Sequence, residues 1–138
     1  MKTFIGGSLA LAAMAAFAQV PSGYAFERPS ILARQVAWGH LHGVRLLAQA
    51  CRDRDDTMAT QAYVDWLDRQ KLPIALVAAD LSRYYFGIEA APMDAIDMAL
   101  NLKASLETPV TELAAACATL PQALASKRHD LDVLIDER

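Results

Sequence analysis

The chain has 138 residues, enough for one domain, with 54% hydrophobic and 21% charged residues, which excludes an intrinsically disordered protein. Its formal net charge is −3 and it contains no basic run, so nucleic acid is not an expected partner. Alanine is plentiful and aromatics are few, which favours helix over strand.

The N-terminus reads as a secretory signal. Met1-Lys2-Thr3 is a short positive region, and Phe4 to Ala15 is apolar. Two small-x-small cleavage sites follow, Ala16-Phe17-Ala18 and Gly23-Tyr24-Ala25. Cleavage after Ala25 is expected, because Pro21 ends the apolar segment ahead of it; Ala18 is the alternative. The apolar run falls short of the ~20 residues a membrane span needs, so no stable anchor should remain after cleavage. Cleavage removes one of 13 basic residues, Lys2, and none of 16 acidic ones. The domain is then 26–138, about 113 residues, near the usual single-domain size.

Pro29 or Ser30 starts the first helix, which runs to Cys51. Leu32, Val36, Gly39, Gly43, Leu46 and Ala50 share one face. Ala33, Ala37, His40, Val44, Leu47 and Cys51 form an adjacent stripe, and Gln35, Trp38, His42, Arg45 and Gln49 lie on the polar side. Gly39 and Gly43 each cost about 1 kcal/mol of helix propensity relative to alanine, and close approach of a second helix is the expected compensation. Arg52 to Thr57 is a polar turn. It fails as a calcium loop, since Thr57 and Met58 stand where an acid and the glycine belong; Asp55 or Asp56 should cap the next helix.

The second helix spans Thr57 to Lys71, with Ala59, Ala62, Tyr63, Trp66 and Leu67 inward and an Asp65–Arg69 ion pair outward. Pro73 ends it and opens the third, which buries Ile74, Val77, Ala78, Leu81 and Tyr85 and stops at Gly87. The fourth covers Pro92 to Leu106 with Ile96, Ala99, Leu100, Lys103 and Leu106 inward. The fifth covers Pro109 to Leu120 with Leu113, Ala116, Cys117 and Leu120 inward, until Pro121 breaks or restarts it. Leu124, Leu131, Leu134 and Ile135 mark a final docked helix. The expected fold is all-α, a compact bundle of four to six short, mostly antiparallel helices.

Two cysteines in an exported chain point to a disulfide, Cys51 to Cys117. It closes a loop of about 67 residues, worth roughly 4.4 kcal/mol in the chain-entropy account. His40 and His42 point about 200° apart on a helix and do not chelate one ion. His40 reads as interior, while His42 and His129 read as surface. The carboxylate pairs Asp65/Asp68 and Asp94/Asp97 read as solvated faces. Nucleophile elbow, phosphate loop, zinc and haem signatures are all missing from the sequence, and no cofactor or metal is expected. Tyr84-Tyr85-Phe86 cannot all be buried on one face and, with Trp38, form a candidate ligand or partner site.

The short stretch Leu46-Leu47, Cys51, the acidic turn and Tyr63-Val64 resembles small exported immunity proteins of bacterial contact-dependent or type VI systems. Those proteins carry a second cysteine before the tyrosine, where this chain has Gln61-Ala62, and no family is assigned from it. The functional expectation is a periplasmic or secreted, non-enzymatic binding protein, with another envelope protein as partner. The alternative is a bundle binding a small ligand or metal through His40, Trp38 and Tyr84 to Phe86.

Overall fold

The computed structural model describes residues 21–136. The expected signal segment before Pro21 lies outside the described residues. Helix accounts for 73% of the structure, and there is no strand among the described residues. The elements are α1 (Pro29–Asp53), α2 (Thr57–Arg69), α3 (Lys71–Phe86), α4 (Met93–Ala99), α5 (Val110–Leu124), a 3-10 turn (Lys127–His129) and α6 (Leu131–Asp136).

The helix ends follow local chemistry. Pro29 occupies the first turn of α1, where its missing N–H costs nothing. The Asp56 carboxylate caps α2 by accepting from the Ala59 N–H at 2.9 Å. Gly87 closes α3 at φ +66°, a left-handed conformation that glycine adopts without a Cβ clash. Three expected boundaries are wrong. Only Gln70 separates α2 from α3, and Pro73 sits in the first turn of α3, where it neither ends nor starts a helix. The fourth helix stops at Ala99, about half its expected length, because Asn101 turns to φ +54°. Pro121 lies inside α5 and has no N–H to donate to the carbonyl four residues back, yet the helix continues through it to Leu124.

Helix α1 is the centre, packed against α2, α3, α5 and α6. Its buried arc is rotated from the expected one. Val36 is exposed and Leu32 and Leu46 are only half-buried, whereas Gln35, Trp38 and His42 are buried. The inward stripes of the other helices lie where periodicity predicts, with Trp66, Leu81, Ile96, Leu100, Leu124 and Leu131 almost fully buried, except at Lys103, which lies beyond the end of α4, is exposed and pairs with Glu107. Cys51 is bonded to Cys117, with Cα atoms 5.6 Å apart, and joins the end of α1 to α5.

Polar ties hold the chain ends. The buried Gln70 amide donates to Asp130 and accepts from the Leu131 N–H, and the Trp66 indole donates to the His129 carbonyl at 3.0 Å. Arg69 donates to the Leu124 carbonyl instead of pairing with Asp65, which accepts from Gln61. No buried side-chain polar atom among the described residues lacks a partner, as stable interiors require.

Candidate functional site

The stretch Trp38 to Gly43 sends side chains to opposite sides of α1. On one side Trp38 is 1% exposed, and its indole N–H donates to Asp97 at 2.7 Å. The second Asp97 oxygen takes the Arg45 guanidinium at 2.9 Å. Arg45 also meets His42 Nδ1 at 2.6 Å, and His42 Nε2 meets the Lys103 carbonyl at 2.6 Å. A carbonyl only accepts, so His42 carries its proton on Nε2 and accepts from Arg45 at Nδ1. His42 is therefore buried and not surface, and Asp97 belongs to no solvated pair. The short loop after α4 supplies the carbonyl that makes His42 buriable. Trp38, expected towards the polar side, is a closed structural contact.

On the other side, His40 Nε2 lies 2.9 Å from His129 Nδ1, with ring centroids 4.8 Å apart. His129 was expected at the surface of the tail, but the Trp66 bond to its carbonyl holds the 3-10 turn against α1. Burial, and then the charge of His129, hold the His40 imidazole below its ordinary 6.5. One ring must donate and the other accept, so the pair is stable with one imidazole neutral.

This pair opens into a groove of about 420 Å³ between α1 and α5, lined by Gly39, Gly43, Leu47, Ala116, Thr119 and Ala123 among others. The expected helix contact at the glycines is absent. A Cβ built on Gly39 or Gly43 meets nothing within 4 Å. The bare helix backbone faces open space, and nothing within the described residues compensates its low propensity.

The third candidate, Tyr84-Tyr85-Phe86, joins neither Trp38 nor His40. Tyr85 is buried, Tyr84 is half-buried beneath the Arg28 guanidinium at 5.3 Å, and Phe86 is 43% exposed. Tyr24 and Phe26 complete this patch, and a cleft of about 290 Å³ lies between Tyr24, Phe26, Arg28 and Tyr84. Burial pushes the Tyr85 hydroxyl up to about 12, against an opposing hydrogen bond from Gln35. In a neighbouring cleft with Arg28 and Tyr84, burial would raise the Asp80 carboxyl, but hydrogen bonds and charge from Arg34 and Arg83 hold it below its usual range.

Among the described residues, no three His, Cys, Asp or Glu side chains converge to hold a metal ion. No helix among them is long and apolar enough to cross a membrane. Comparison with protein-family models, curated proteins and solved structures finds no match.

Proposed function

We propose that the chain is an exported, disulfide-stapled helical binding protein, and that it engages its partner along the groove between α1 and α5. The observation that carries this reading is the pair of helical glycines facing open space beside two facing imidazoles. A helix with alanine at both positions is more stable by about 1–2 kcal/mol in total, so the bare backbone favours an occupant that approaches closely. Export is supported by the N-terminal signal pattern and the Cys51–Cys117 bond, which fits an oxidising compartment. A partner of the same envelope compartment follows from that location.

The test is affinity capture from a periplasmic extract with the wild-type chain and a Gly43→Leu variant that fills the groove. A partner bound by the first and lost by the second supports the reading. Equal capture, or no specific partner across several conditions, removes it.

A second reading is metal binding by His40 and His129, without Trp38 or the tyrosines. Their 2.9 Å separation is about 1.4 times a metal–imidazole bond of ~2.0–2.1 Å, the spacing of two cis ligands in a tetragonal site. Titration with Cu(II), Ni(II) and Zn(II) checks it. No heat, or heat unchanged in His129→Ala, eliminates it.

A further inference from the structure

The segment just before α1 is built into the domain. The Gln35 side chain is 0% exposed and its polar atoms are directed at this segment. Its Oε1 accepts from the Ala25 N–H at 2.8 Å, and its Nε2 donates to the Gly23 carbonyl at 3.1 Å and to the Tyr85 hydroxyl at 2.8 Å. The Tyr85 hydroxyl in turn donates to the same Gly23 carbonyl at 2.6 Å. The Gly23 N–H donates to the Ala99 carbonyl at 3.2 Å, and the Ala25 carbonyl accepts from the Arg28 N–H at 3.0 Å, just ahead of α1. Ala25 itself is buried. Gly23 sits at φ +67°, so the turn needs glycine. Gly23 and Ala25 are thus tied to α1 and α3 through Gln35 and Tyr85, and Gly23 to α4 through the Ala99 carbonyl.

We propose that Gly23 to Ala25 are a structural strap of the mature domain, and that maturation hydrolyses the Ala18–Gln19 peptide bond instead of the bond after Ala25. The proposal rests on the export reading. The reagents are water and the membrane-bound endopeptidase of the export route, which reads small residues at the last and third-last positions before the cut. Water adds OH to the Ala18 carbonyl and H to the Gln19 nitrogen. Ala16-Phe17-Ala18 meets the small-residue rule as well as Gly23-Tyr24-Ala25 does. An exported chain is cut before it folds, so the strap does not shield the second site. What distinguishes the two cuts is the product that folds afterwards. A cut after Ala25 strips the Gln35 carbonyl oxygen of its donor, and the Tyr85 hydroxyl and Gln35 amide of their shared acceptor, inside the domain. Buried polar groups without partners are strongly destabilising. A cut after Ala18 leaves every one of these bonds, with four residues, Gln19 to Ser22, ahead of the strap.

Two measurements decide it. Intact mass of the protein recovered from the periplasm should correspond to a chain beginning at Gln19; a chain beginning at Phe26 overturns the proposal. Retention of unprocessed protein in the cytosol overturns the export reading, and with it the cut, while the second measurement still judges the strap. Chains purified with Gln19 and with Phe26 as first residue are melted side by side. The shorter should melt at least about 5 °C lower, and Tyr85→Phe should lower the melting temperature of the longer chain more than that of the shorter. Equal melting of the two chains, or an equal effect of Tyr85→Phe in both, overturns the strap.

Discussion

The two sides of the Trp38–Gly43 stretch are built from similar residues and end in opposite states. The Trp38, His42 and Arg45 side closes on Asp97 and the Lys103 carbonyl, and each donor has an acceptor. The His40 side meets one imidazole and then an open groove. Burial of a polar residue is decided by whether a distant element brings the matching group. On the first side α4 and its following loop do so. On the second, α5 stands off from the glycines, and only the 3-10 turn reaches in.

The largest change should come from the bond that ties α1 to α5, the far wall of the groove. Replacing Cys51 and Cys117 by alanine is expected to cost about 4 kcal/mol in urea denaturation. Hydrogen exchange should accelerate first in α5, which loses its tether, and later around the Asp97 network. Uniform acceleration would mean that the two sides form one cooperative unit. Next is Asp97→Ala, which leaves the Trp38 N–H and the Arg45 charge without their acceptor in a site where Asp97 is 18% exposed. A loss of about 2–3 kcal/mol is expected, measured by the same denaturation curves, and a loss below 1 would place the closed side on apolar packing alone.

The groove side should respond in the opposite direction. Gly39→Ala and Gly43→Ala are each expected to raise stability by roughly 0.5–1 kcal/mol, since the new methyl meets no atom within 4 Å. Destabilisation in thermal melts would show that the glycines are already packed in solution. The smallest effect is in the pH profile. The folded His40 pKa lies below its ordinary 6.5, so the unfolded chain binds the proton more readily. This contribution to stability is present above 6.5 and is lost as pH falls through the folded value. Melting temperatures from pH 7.5 to 4.5 should therefore fall less steeply in His40→Gln than in the wild type, and parallel profiles would assign the acid sensitivity elsewhere.

Much of the fold is legible from neighbours in the sequence. The caps at Asp56 and Gly87, the proline start at Pro29 and the inward stripes Ala59/Trp66, Val77/Leu81/Tyr85 and Leu120/Leu124 depend on residues within one or two turns. The site was less legible. Periodicity put Gln35, Trp38 and His42 on the polar side because each carries a polar group, yet each is buried against a partner at least fifty positions away, Tyr85, Asp97 and Lys103. The Gly23 and Ala25 partners of Gln35 are nearer, but they fall in a stretch read as part of the signal. His129 looked solvated because nothing beside it in sequence would bury it.

The sequence by itself determined the helical class, most helix limits and the pairing of Cys51 with Cys117, because propensity, capping and a two-cysteine count are local or combinatorial facts. Only the tertiary structure decided which arc of α1 faces inward, that Gly39 and Gly43 line a groove instead of a helix seam, and that the Gly23 and Ala25 backbone meets the buried Gln35 side chain. Hydrogen-bond satisfaction in an interior is a property of pairs, and the second member of each pair comes from another element.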